Sequence, residues 1–287
     1  PGPGEPEGPC LPLSLVSEAL VNGGDISAAR PLPGGDVAVL IRFGVSDEPA
    51  SIDFAGVYFG LPDEPDGASG ALVVRLRPDA SIAWATLVEG TGAANDALDL
   101  RVDHQGNIYV VGLFFADELT VGTATIERRT SQGTRAIFAV KLRGADGGVH
   151  WAESFGEYGD DVKALPAAAV SPEGDLLLSL AYESRFHFGA ADYAGVGSAV
   201  LASVSPAGEA AWSISLPSAD HLARSVFGRP GGGFRALGDY DGSWSLHGFE
   251  VDAHPGFLRR SYILDITTEG AVLAAAPIEI ATDAKIT

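Results

Sequence analysis

Methionine is absent from the chain, and cysteine occurs once, at Cys10. A single cysteine excludes a disulfide within one molecule. Basic residues are few: 18 Lys and Arg against 38 Asp and Glu leave a net charge of −20. A field of that sign repels phosphate backbones and anionic membrane surfaces, so nucleic acid is a poor partner. A basic protein partner or bound cations are compatible with it. No apolar run reaches the roughly 18 residues that read as a membrane-crossing helix. There is no His-x-x-x-His or His-Glu-x-x-His pair, no serine elbow and no complete nucleotide or dinucleotide fingerprint.

What the chain does have is apolar residues and turns. Hydrophobic residues make up 46% of 287 positions, which excludes a disordered chain. The 37 glycines and 18 prolines punctuate many short β-rich runs. The first nine residues are proline, glycine and glutamate only. That run reads as a linker or as the trimmed end of a precursor. It favours an exported chain (periplasmic or at a bacterial cell surface) with an upstream lipid or protein tether. A boundary imposed on a longer protein explains it equally.

The runs repeat. Glycines at 35, 106, 174 and 232 each open a strand, as in Gly106-Asn107 before Ile108–Phe114. Trp84, Trp151, Trp212 and Ala274 share a second position, on the last strand of each cycle. A third marker is a glycine in a long connection, at 56, 122, 189 and 248. Three markers in step predict four units of about 60–70 residues, each with four short antiparallel strands. Their bounds fall near 25–95, 96–160, 161–219 and 220–277, inside a domain spanning 11–287 that follows a flexible segment 1–10. Leu11–Leu20 and Ile278–Ile286 are candidate closing strands.

One four-stranded sheet cannot bury both faces alone, and stacking such sheets radially solves this. The expected fold is therefore all-β, a β-propeller or partial propeller of four repeats. The tryptophans are expected to fill the spaces between repeats, with a differently packed last repeat at Ala274. Another copy or a partner chain could complete a larger propeller.

The stretch Gly106–Gly112, the run Ala136–Leu142 and the segment Gly147–Gly156 resemble a bacterial β-propeller repeat family found in myxobacterial exported or surface proteins. The likeness runs over roughly residues 20–277 and is densest in the second cycle. Ile41 and Leu180 stand where the other cycles carry Gly112 and Gly238. The resemblance implies a repeat scaffold, often extracellular, and no single enzyme activity.

Function should then lie in the long connections near 44–70, 115–135, 183–198 and 241–256. Surface hairpins account for much of their length. Tyr58, Phe59, Tyr193, Trp244 and Phe249 are the candidate ligand-binding residues, with Phe257 beside them, for a protein or a glycan. Asp47, Glu48, Asp63, Glu64 and Asp66 form an oxygen-rich loop that admits calcium without an EF-hand spacing. His187 and His247 sit in equivalent hairpins but lack the further ligands that zinc needs. Asp160-Asp161 reads as a turn or cap ahead of a strand. Arg75 and Lys141 are expected to reach along the edges of the repeats.

Two functions follow. The first is a noncatalytic extracellular or cell-surface binding or assembly scaffold that uses its loops. The alternative is a carbohydrate-active hydrolase or lyase whose acid/base pocket is built from separate loops.

Overall fold

The computed structural model describes residues 24–44, 51–54, 57–60, 68–91, 96–130, 133–157, 160, 162–195, 198–216, 222–240, 243–251 and 260–278. Every regular element among them is a strand. The first cycle holds β1 (Asp25–Pro31), β2 (Val37–Phe43), β3 (Ser51–Phe54), β4 (Val57–Gly60), β5 (Ala68–Leu76) and β6 (Ile82–Thr91). The second holds β7 (Asp96–Val102), β8 (Ile108–Phe114), β9 (Glu118–Val121), β10 (Ala124–Glu127), β11 (Ala136–Leu142) and β12 (Val149–Phe155). The third holds β13 (Val162–Val170), β14 (Leu176–Tyr182), β15 (Arg185–Phe188), β16 (Ala191–Ala194), β17 (Ser198–Val204) and β18 (Ala210–Leu216). The fourth holds β19 (Ala223–Gly228), β20 (Phe234–Tyr240), β21 (Trp244–Leu246), β22 (Phe249–Val251), β23 (Arg260–Ile266) and β24 (Val272–Ile278).

In every cycle the first, second, fifth and sixth strands form one sheet in that order, and the third and fourth make a short hairpin. The strands form seven hydrogen-bonded sets, and the protein is all-β in class. The four antiparallel strands expected in each of the four units are therefore present. Leu11–Leu20 and the run after Ile278 lie outside the described residues.

Turn chemistry sets the second strands. Gly35, Gly106, Gly174 and Gly232 have φ of 90°, 83°, 92° and 90°. Each donates its N–H to the carbonyl three residues back, as Gly106 does to Asp103 at 3.0 Å. A side chain is disfavoured there and glycine is not. Asp103 secures its own turn by accepting from the N–H groups of Gln105 and Asn107. The strand that follows, β8, is buried along its whole length, as are β11 and β14. Such strands read as nearly continuous apolar runs, interrupted by Lys141 in β11 and Ser179 in β14, because both faces are covered.

The chain divides into two compact units. One comprises the described residues to Arg128 with Val140–Ala152; the other comprises Arg129–Ala139 and Glu153 onward. In the first unit β9 adds to the edge of β6 through Val88↔Val121, Glu89↔Thr120 and Gly90↔Leu119. This pairing gives the end of β6, Val88 to Gly90, a second partner strand. In the second unit the first strands of cycles three and four lie side by side: a methyl group on Gly228 would fall 2.3 Å from the Val170 carbonyl oxygen.

The tryptophans join successive cycles. Trp84 pairs across the sheet with Arg75, and its indole N–H donates to the Gly144 carbonyl of the next cycle at 2.9 Å. A methyl group on Gly147 would lie 2.5 Å from that indole. Trp212 repeats the arrangement, opposite Ser203, donating to Thr268 at 2.6 Å and lying against Gly270. Ala274 occupies the same register opposite Asp265, so the fourth cycle has the position without the ring. Trp151 packs edge-on against Tyr109, with ring centroids 6.0 Å apart.

Arg75 and Lys141 are less exposed than expected. Arg75 bonds Asp36 at 2.5 Å and also donates to Gly144. Lys141 is 7% exposed, 3.6 Å from Asp103 and over the Tyr109 ring. An ammonium group keeps its charge in such a place only with partners.

The indole–glycine junction gives a coupled prediction. Gly147→Ala, at φ 71°, should cost about 2–3 kcal/mol, and Trp84→Ala about 3–5 kcal/mol. The double variant should lose at least about 1 kcal/mol less than their sum, because the clash disappears with the ring. Urea unfolding of the four proteins measures this.

Candidate functional site

The second unit contains a cavity of about 430 Å³. Its floor is the end of β12 and its continuation, Glu153 to Glu157; its walls are the tip of the β15–β16 hairpin and the turn before β18, and Arg129 closes one side. Phe155 and Phe188 supply an apolar surface, with ring centroids 5.4 Å apart. Glu153, Glu157 and Glu209 bring three carboxylates, and Arg129 lies 3.9 Å from that of Glu153. The lining thus carries more negative than positive charge.

Behind the wall sits Asp160, fully buried. It accepts from the backbone N–H groups of Glu157 at 2.7 Å and His187 at 2.8 Å. Its other oxygen lies 2.6 Å from His187 Nδ1. A carboxylate removed from water is tolerated when its lone pairs are filled in this way. The expected turn-forming role of Asp160 is thus present, and it extends to a ring 27 residues away. Asp161 lies outside the described residues.

His187 Nε2 faces a second carboxylate, Asp192, at 3.2 Å. Carboxylates only accept, so both contacts become hydrogen bonds only when both ring nitrogens carry protons. Arg185 grips Asp192 with two bonds, at 3.0 and 2.6 Å. This pair holds the Asp192 carboxyl below its ordinary range, with the His187 ring as a smaller cause. Together these groups fix the hairpin that walls the cavity.

Two hydroxyls close to the cavity stand apart. Ser154 Oγ and Thr130 Oγ1 are buried without a hydrogen-bond partner among the described residues. Ser154 belongs to the lining, and Thr130 packs beside Gly156, whose φ is 109°.

The residues expected to bind ligand are dispersed. Tyr58 is 73% exposed on β4, while its neighbour Phe59 packs on the core of the first sheet. Tyr193 is half-buried and shares a 2.7 Å hydrogen bond with Ser213. Trp244 is 5% exposed, edge-on to Tyr262 at 5.2 Å, within the core of the second unit. Phe249 is half-buried on β22. None of the three from the second unit lines the cavity. Phe257 and the acidic residues that admitted calcium, Asp47, Glu48, Asp63, Glu64 and Asp66, lie outside the described residues. His247 is exposed at its hairpin turn with φ 50°, unlike the enclosed His187. Among the described residues no cluster of three or more His, Cys, Asp or Glu is arranged to hold a metal ion.

Sequence reasoning placed His187 in a hairpin and Asp160 in a turn but did not join them. The available signal was the alignment on the marker glycines: Phe54, Thr120 and Leu246 stand two residues before them where the third cycle has His187, so the ring is peculiar to that cycle.

The ion pair on the hairpin sets a pH dependence. The Asp192 pKa is depressed in the folded protein, so its contribution is present above the unfolded value and is lost as pH falls through the folded one. In a carboxyl NMR titration Asp192 should titrate below 3.8, and Arg185→Gln should raise its midpoint.

A search of protein-family models finds no match to the chain, and no curated protein matches it in sequence.

Proposed function

We propose that this protein is a noncatalytic binding scaffold of the β-propeller type, exported or held at a cell surface, that recognises a partner through the loops and hairpins of its repeats. The observation that carries this reading is the cavity of the second unit. It is backed by the buried, packed rings of Phe155 and Phe188 and has a charged rim, and four separate chain segments on a sheet framework build it. Apolar centres with polar rims are the usual anatomy of recognition surfaces.

The propeller reading is supported by the fourfold strand succession and by the stacking of neighbouring sheets within each unit. Location outside the cell rests on the resemblance to exported repeat proteins.

Charge selects the partner class. Glu153, Glu157 and Glu209 outnumber Arg129 at the rim, and the whole chain carries −20. A basic segment of a protein suits this surface better than a neutral glycan does, and steering by the net field speeds its encounter. The same carboxylates are the feature a carbohydrate-active enzyme would use.

A lysine-rich peptide and a set of neutral oligosaccharides, titrated by calorimetry, separate the readings. The peptide should bind, and added salt should weaken it. Glu157→Gln with Glu209→Gln should lower its affinity by about threefold to tenfold, while Glu118→Gln, outside the cavity, leaves it unchanged. Oligosaccharide binding without peptide binding would move the partner class to glycans. Hydrolysis or elimination of a bound sugar, lost in the double variant, would replace the scaffold with the enzyme.

A further inference from the structure

The two ends of the repeat series carry halves of the junction that joins cycles inside the chain. Each internal junction described above seats an outer-strand indole on a turn glycine of the next cycle: Trp84 on Gly147, and Trp212 on Gly270. The first cycle has the same turn, Arg77–Ser81, closed by Arg77 N–H to Ser81 and Ala80 N–H to Arg77, both at 2.9 Å. Its left-handed residue is Ala80, at φ 63°, where the other three cycles have Gly147, Gly208 and Gly270. The last cycle's outer strand has Ala274 in the register of the tryptophans. The chain thus lacks the glycine on its leading face and the indole on its trailing face. These two departures compensate each other. Without an indole opposite, a methyl group at the turn no longer clashes, and it fills part of the space the ring would take. A turn facing only water gains nothing from alanine at positive φ, where glycine is favoured.

Exposed apolar residues mark the same two faces. Ile278 lies four residues after Ala274, as Val88, Phe155 and Leu216 lie four after the tryptophans. Those three are 1%, 8% and 1% exposed, whereas Ile278 is 37% exposed and Leu273, on the same strand, 52%. On the first cycle's hairpin Val57 is 43% and Tyr58 73% exposed. Of the five exposed large apolar side chains among the described residues, only Phe227 lies elsewhere. Inside the first unit, the hairpin strand β9 is what covers Val88, by pairing with β6. The first cycle's β3–β4 hairpin is the corresponding element.

We infer that the outer strand β24 is a docking face for a second copy of this chain, which brings its β3–β4 hairpin and its Arg77–Ser81 turn onto Leu273, Ala274 and Ile278. Each molecule carries both halves, so the contact is head-to-tail; it ends in a closed ring of copies where the rotation closes and in an open chain otherwise. It does not depend on what the cavity of the second unit binds.

Sedimentation velocity over a wide concentration range tests it. The protein should associate reversibly, and more strongly with added salt, because screening relieves repulsion between copies of like charge. The opposite salt response is expected of a basic ligand in the cavity, so the two readings fail separately. Ile278→Glu should weaken association by about tenfold or more. Ala274→Trp alone should weaken it too, because the new ring meets the Ala80 methyl of the second copy. Ala274→Trp with Ala80→Gly rebuilds the internal type of junction and should restore it. Both positions are on the surface, and circular dichroism melts establish that each variant folds. A monomer at every concentration overturns the inference, as does equal behaviour of Ala274→Trp with and without Ala80→Gly.

Discussion

The seating of an indole on a glycine turn is the constraint from which the packing of successive cycles follows. It fixes distance, because a Cβ on Gly147 or Gly270 would enter the ring. It also fixes rotation, because the indole N–H must reach the Gly144 or Thr268 carbonyl. A purely apolar contact between sheets leaves sliding free; one donor aimed at one carbonyl does not. With that geometry set, Arg75, opposite the ring on β5, is brought to the same turn and can bond Asp36 and Gly144 together. Polar groups are thus drawn into the junction because the turn backbone is there to satisfy them.

The scale of legibility follows the range of the interactions. The strands Ile108–Phe114, Ala136–Leu142 and Val149–Phe155 have the bounds that their sequence implies. Each is bracketed by turn residues a few positions away, and local hydrogen bonds such as Gly106 to Asp103 complete the signal. The repeat made one long-range feature readable: equivalent tryptophans imply equivalent neighbours. What depended on a single cycle was not readable. Among the described residues the link from Asp160 to His187 has no counterpart in the other cycles to reveal it. Lys141 was expected along an edge and is buried, because the acceptor that makes burial tolerable, Asp103, lies in a turn 38 positions earlier. Aromatic residues in the long connections posed the same difficulty. Tyr58 and Trp244 occupy hairpins of one kind, yet one is open to solvent and the other is in the core. Composition cannot separate them; the face of the hairpin decides.

The hairpins therefore have two duties that pull in different directions. Their inner faces close the sheets, as Phe54, Val121, Phe186 and Phe188 are buried there. Their outer faces and tips are where the cycles differ. The third hairpin spends its charged residues on its own rigidity: Arg185, His187, Asp192 and the buried Asp160 form one connected set. Its buried member, Asp160, is costly to desolvate and is tolerated because its oxygens are paired. Its position beside the cavity gives that cost a purpose, since a wall that does not move spares the entropy of ordering it on binding.

Function on this framework is then a matter of what each cycle does with a face that the repeat does not need. A stacked sheet needs its middle strands, its turn glycines and one apolar residue at the end of the outer strand. Where a following cycle exists, that apolar residue is buried, as Val88, Phe155 and Leu216 are. The fourth cycle retains the apolar residue, Ile278, and has no following cycle among the described residues to cover it. Elsewhere in the series that residue is covered; on β24 it is open to solvent, which is the opening that the proposed contact with a second copy would close. The cavity is the converse case: there the covering elements are present, and the charges Glu157, Glu209 and Arg129 at its rim serve none of the three structural needs. The first departure points to assembly and the second to recognition, and both are departures from one repeated plan.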